Sequence, residues 1–290
     1  DIDVPEQTEA PGPHPGGTAA QVHFVPAEVS LGSGEAVEFK ARLFDENGRF
    51  IKEAPPTLSL APMAPGPGLG EGAVRPVLKG TIDGAKFTAP EQSAGQLGNV
   101  VATVDGLEAK CRVRQVPSLP YVEDFESTGE GLIPGGWTNT QLRYVTRKLD
   151  GNTVLMKTAR IAVPFYRLWY AFIGTPEMKG YTIECDVMGE QVNSNMPNMG
   201  VTANRYILQL VGNEQKLRVS AWDAIPRVSN EIDYEWKPDT WYRLKMTVES
   251  EGDTAKVLGK VWPTNQDEPG EWTIELPDPN PNGSGPPGLY

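Results

Sequence analysis

The chain has 290 residues, long enough for two domains with separate cores, and its 26 Lys and Arg against 38 Asp and Glu give a formal charge of −12. That balance argues against nucleic acid or an anionic membrane surface as a partner, and no apolar run approaches the roughly 20 residues of a membrane span. Gly 31 and Pro 27 make about a fifth of the residues, which suits turn-rich β structure.

Residues 1–20, through Pro11-Gly-Pro-His-Pro-Gly-Gly17, read as a linker, with His14 a solvated residue in it. From Gln21 to Val116 short alternating strands follow one another. Val22-His-Phe-Val-Pro26 is the first, with His23 a partly exposed strand residue. Ala36 to Phe44 alternates over nine residues before an Asp45-Glu-Asn-Gly48 turn. Thr57–Leu60, Gly80–Pro90 and Asn99–Val104 continue the series. Asp105-Gly106 is a two-residue hairpin signal, with Leu107–Val113 as the return strand. The Pro- and Gly-rich stretch 61–76 cannot pair in a ladder and is expected to be a loop. About seven strands over 21–116 match an immunoglobulin-like sandwich.

Pro117-Ser-Leu-Pro120 marks the junction, and all seven Trp lie at or after Trp137. The second half, 121–290, is expected to open with a strand at Asp124-Phe-Glu126 and then Gly135-Gly-Trp137. Asn152–Thr158 reads as a strand and Phe165–Gly174 as an aromatic stretch. Tyr181–Met188 alternates strictly. Arg205–Val211 and Lys216–Trp222 form a hairpin around Asn213-Glu214, and Trp241–Glu249 and Ala255–Trp262 another around Glu251-Gly-Asp253. Glu271–Leu276 follows. No segment shows a convincing 3.6-residue periodicity, so the chain is expected to be all-β. Cys111 and Cys185 fall in strand-like runs in different halves. Two buried free thiols are expected, an inter-domain disulfide being the alternative.

Gly84-Ala-Lys-Phe-Thr-Ala-Pro90 followed by Val100–Gly106 resembles the ending of bacterial Ig-like spacer domains. The second half resembles the concanavalin A-like (laminin-G-like) jelly-roll through Asp124-Phe-Glu126, Gly180-Tyr-Thr-Ile-Glu-Cys-Asp-Val187, Trp241-Tyr-Arg-Leu-Lys245, Lys260-Val-Trp-Pro263, Glu268-Pro-Gly-Glu-Trp-Thr273 and Gly288-Leu-Tyr290. In that order these resemble the C-terminal module attached to bacterial PQQ-type β-propeller repeat proteins. The resemblance implies a periplasmic or extracellular location and a mature or excised piece of a larger protein. It also implies a further strand after Tyr290, lying beside the opening strand.

The fold hosts lectins, spacers and enzymes alike, so function must come from a site. Glu184, Asp186 and Glu190 are the catalytic candidates: on a strand they share a face, and retaining glycosidases need two carboxyls about 5–5.5 Å apart. The acid expected four or five residues after Glu184 is replaced by Met188 and Gly189, so the same residues also read as a solvent-facing polar row. With only His14 and His23, nucleophile–His chemistry and a zinc site are not expected. Aromatics give a candidate binding surface, since flat rings stack on sugar faces: Trp169, Tyr170 and Trp222, with Asn204, Arg205 and Asp223 as polar contacts. These rings equally suit a sandwich core. Calcium is the one cofactor considered, near Asp124, Glu126 or Asp150; otherwise none is expected. The leading expectation is a non-catalytic binding and spacer pair whose partner is a glycan or a neighbouring domain of the same parent. A glycoside-processing enzyme and a purely structural module are the alternatives.

Overall fold

The computed structural model describes residues 14–63, 76–140, 143–157, 170–221 and 226–290. Among these every regular element is a strand, so the protein is all-β, and no helix among the described residues is long and apolar enough to cross a membrane. The chain forms two compact units. The first ends at Asp124 and takes in Pro134–Gly136; the second holds Phe125–Ile133 and Trp137–Tyr290. The junction expected at 117–120 thus lies inside the first unit, where the Ser118 amide donates to the Ser93 carbonyl at 3.0 Å. Gly135 and Gly136 belong there because their backbone packs on other backbone. A Cβ on Gly135 would stand 2.6 Å from the Gln96 Cα, and one on Gly136, whose φ is +80°, 2.4 Å from the Gln115 oxygen.

The first unit contains β1 (Gln21–Val25), β2 (Glu28–Leu31), β3 (Ala36–Glu38), β4 (Lys40–Phe44), β5 (Phe50–Ala54), β6 (Thr57–Ala61), β7 (Thr81–Asp83), β8 (Lys86–Thr88), β9 (Gln96–Val104) and β10 (Leu107–Gln115). They form three sheets, ordered β1-β4-β5, β2-β10-β9-β6 and β3-β8-β7. All pairs are antiparallel except β2 with β10. The nine-residue alternation over 36–44 is two strands. At buried Phe39 the amide turns aside to the Ala85 carbonyl, and the halves join different sheets. Asp105 (φ 51°) and Gly106 (φ 80°) make the expected hairpin turn in the type I′ sense. Residues 14–20 are tied down, contrary to the linker expectation: the His14 amide donates to the Phe50 carbonyl at 2.7 Å and the Ala20 amide to the Phe44 carbonyl at 2.9 Å. Most of the loop expected over 61–76 lies outside the described residues.

The second unit contains β11 (Tyr144–Leu149), β12 (Asn152–Lys157), β13 (Ala171–Phe172), β14 (Thr182–Val187), β15 (Met199–Ala203), β16 (Tyr206–Val211), β17 (Lys216–Ala221), β18 (Ser229–Asp233), β19 (Tyr242–Glu251), β20 (Thr254–Pro263), β21 (Ile274–Asp278) and β22 (Gly288–Leu289). A six-stranded sheet, β13-β22-β15-β16-β17-β18, and a four-stranded one, β14-β19-β20-β21, face each other across the main core. Val201, Leu208, Leu217 and Val219 enter it from the first sheet, and Leu244, Met246 and Val257 from the second. The strand expected at Asp124-Phe-Glu126 is absent. Phe125 has a φ of 62°, and the Thr128 amide closes a turn on its carbonyl at 3.0 Å. β22 pairs on both sides, with β13 and β15.

Candidate functional site

The carboxylate row was the sharpest catalytic candidate. In β14, Ile183 is buried and Cys185 and Val187 pack on the core, so Glu184 and Asp186 face outward. The strand ends at Val187, however, and Glu190 lies beyond it as an exposed residue outside the row. Register places Arg243 opposite Asp186 and Lys245 opposite Glu184. Arg243 grips Asp186 with two bonds (2.5 and 2.8 Å) and also reaches Glu184 at 3.4 Å. Lys245 stands 3.5 Å from Glu184 and 3.1 Å from Glu268. Glu268 also takes Lys260 at 2.9 Å, whose ammonium donates to the Pro269 carbonyl and lies 5.0 Å from the Trp272 ring centre. The bond from Asp186 lifts the Arg243 pKa, and those from Lys260 and Lys245 lower that of Glu268. A general acid needs the opposite setting, an apolar one that keeps its carboxyl protonated. This array is an ion ladder whose charges balance pairwise.

The outer face of the six-stranded sheet is different. Register sets Tyr290, Gly200, Gln209, Arg218 and Glu231 in one cross-strand row. Phe172, Gly288, Thr202, Ile207 and Ser220 form the next. Thr202, Ile207, Gln209 and Ser220 are all buried, although they point away from the core. Tyr170 stacks on Phe172 (centroids 5.8 Å, planes 6° apart) and meets Tyr290 at 5.2 Å. Thr202 Oγ1 and Gln209 Oε1 have no hydrogen-bond partner among the described residues, a costly state for buried oxygens. Arg218 is held by Glu231 and Glu214, both at 2.8 Å. Of the expected binding residues that are described, Tyr170 lies here and Asn204 and Arg205 do not. Trp169, Trp222 and Asp223 lie outside the described residues.

Asn204 and Arg205 are turn residues. With φ of 46° and 62° they form the two-residue type I′ link between β15 and β16. The buried Tyr181 hydroxyl accepts from the Asn204 amide at 3.1 Å and donates to the Gly285 carbonyl at 2.6 Å. Thr202 and Gln209 carried no signal in the sequence, since strands buried on both faces do not alternate.

The calcium candidates separate. Glu126 accepts from Lys148 Nζ (2.8 Å), the Thr153 amide (2.5 Å) and the Thr153 hydroxyl (2.8 Å), clamping the β11–β12 hairpin. These bonds, that from Lys148 foremost, hold its pKa at about 2. Asp150 (φ 49°) and Gly151 (φ 89°) form that hairpin's turn, and Asp124 ends the first unit. No group of three or more His, Cys, Asp or Glu side chains that could hold a metal occurs among the described residues. Both cysteines are free, Cys111 buried and Cys185 half-buried. Burial pushes each thiol up to about 12, away from the reactive thiolate.

No protein-family model matches the chain, and no curated protein is similar enough to match it.

Proposed function

We propose that this chain is a pair of non-catalytic β modules of a larger exported protein, periplasmic or extracellular. The first would serve as an Ig-like spacer and the second as a concanavalin A-like sandwich of the kind attached to bacterial PQQ-type propellers. Its task is binding, to a glycan or to a neighbouring domain of the same parent. The observation that carries the non-catalytic part is the ladder: Glu184 and Asp186 share Arg243 on a strand surface, and Glu190 stands outside the row. One observation favours a second reading, a purely structural module. The outward residues Thr202, Ile207, Gln209 and Ser220 are buried rather than open to a ligand. A glycan array probed with the whole chain separates the two. Binding weakened about tenfold, 1.4 kcal/mol, by alanine at Trp169 or Trp222 supports the glycan partner. No binding on the array, with retention of a neighbouring domain of the parent, supports the domain partner. Failure of both leaves the structural module as the correct reading.

A further inference from the structure

The first unit carries a separate surface, on the solvent face of its sheet β1-β4-β5. Ala41 and Leu43 of β4 point into the core, so Arg42 and Phe44 point out. Register sets His23 of β1 opposite Arg42, and Phe50 of β5 opposite Phe44. The rings line up across the sheet, with centroids 4.4 Å apart for His23 and Phe44 and 5.7 Å for Phe44 and Phe50. The Arg42 guanidinium carbon lies 4.8 Å from the Phe50 ring centre and 5.8 Å from that of Phe44. Both Phe rings are half-buried, whereas His23 and Arg42 are exposed.

Arg112, Arg218, Arg227 and Arg243 each hold a carboxylate. Arg42 does not: no hydrogen-bond or ion-pair partner meets its guanidinium among the described residues. Glu53 stands opposite it in register, but its carboxylate pairs with Lys40 at 3.9 Å. Stacking uses the face of a guanidinium and leaves its N–H fork, which matches a carboxylate in two-bond geometry. A side chain already held on two rings also loses little further freedom when it binds.

We propose that this face binds a uronate residue of an acidic glycan, its carboxylate on Arg42 and its apolar ring face against His23 and Phe44. A sugar fits better than an acidic peptide. Arg42 and Phe44 stand on the central strand, so a ligand lies flat on side chains and gains none of the strand-edge backbone bonds that peptides use. The site is independent of the second unit and of the reading given for it.

Calorimetry on the whole chain tests it with a tri-galacturonide, its carboxyl-reduced neutral analogue and a Glu-rich peptide. The uronide should bind, more weakly as salt rises, and the neutral analogue at least about tenfold more weakly. Arg42→Gln should lose at least about tenfold and Arg42→Lys an intermediate amount, both with an unchanged melting midpoint because Arg42 is exposed. The proposal is overturned by equal binding of the neutral analogue, by no binding of the uronide, or by preference for the peptide. It is also overturned by uronide binding that Arg42→Gln leaves intact, a result that would instead support a glycan site in the second unit.

Discussion

The two larger sheets of the second unit share one core and differ in what lies on their other faces. β15 and β16 are buried at every position, so the middle of their sheet is packed on both sides. In the opposing sheet, β14 and the first seven residues of β19 alternate between core and ladder. At β20 the cover begins again, where Lys260 is held by Glu268 and Pro269 from the following loop. Outward-pointing side chains therefore act as core on β15 and β16 and as partly solvated ion pairs towards the β17–β18 edge and along β14 and β19. A substitution on an outer face should be costly or nearly silent according to the strand it touches.

The largest effect should come from the doubly packed sheet. Ile207 points away from the main core yet is 6 % exposed. Ile207→Ala should cost about 3 kcal/mol, as a core truncation does, and lower the melting midpoint by roughly 6–12 °C. A loss below about 1 kcal/mol would show that this face is not packed. The comparison would then break, and an open binding face would gain support.

The next effect concerns the last residue of β21. The Asp278 side chain is fully buried and takes two bonds from Arg227 (2.5 and 2.6 Å) and one from the Tyr206 hydroxyl (2.6 Å). The Arg227 bonds, more than the others, hold its pKa at about 2. Arg227→Met leaves the carboxylate only the Tyr206 hydroxyl and the Asn280 amide and should cost about 2–3 kcal/mol, less than a fully buried pair because those bonds remain and Arg227 is partly exposed. The sign with pH follows. A carboxylate with a lowered folded pKa stabilises the fold above its unfolded value near 4, and that stability is lost as pH falls towards 2. The gap between wild type and variant should therefore narrow over that window, as chemical denaturation at several pH values can show. A constant gap would mean that Arg227 acts by packing alone.

The same contrast governs what the sequence disclosed. β14, β19 and the β9–β10 hairpin alternate or carry a turn signal, and each was legible as a strand. β15 was not: burial on both faces erases the period of two, and β16, buried alike, is legible only through its hairpin with β17. β2 was missed as well: its partner β10 runs parallel, so no hairpin turn announces it. Among site residues, Glu184 and Asp186 were placed correctly on the outer face, but their cations come from register with β19, which local pattern does not give. The turn at Asn204-Arg205 is not legible in the sequence, because an arginine at positive φ is uncommon where Asn-Gly usually stands. Arg42 and its rings carry no signal in the sequence, since the bulge in β4–β5 that sets Phe50 opposite Phe44 exists only in the folded pairing.

The smallest effect should lie on the ladder. Glu184 is 40 % exposed at its side chain and meets Arg243 and Lys245 at 3.4 and 3.5 Å. Ion pairs at such distances and exposure are worth about 0.2–1 kcal/mol and weaken with salt. Asp186 keeps its two-bond grip on Arg243, and Glu268 keeps Lys245, so neither cation is stranded when Glu184 is neutralised. Glu184→Gln should shift stability by no more than about 0.5 kcal/mol, and added salt should erase even that. Neither protein should hydrolyse a β-glucan, because Glu184, Asp186 and Glu268 are each paired with a cation and none sits in the apolar setting that a proton donor needs. Turnover by the wild type that disappears in Glu184→Gln would make the ladder an active site and reverse the functional reading, even with the stability change as small as argued here.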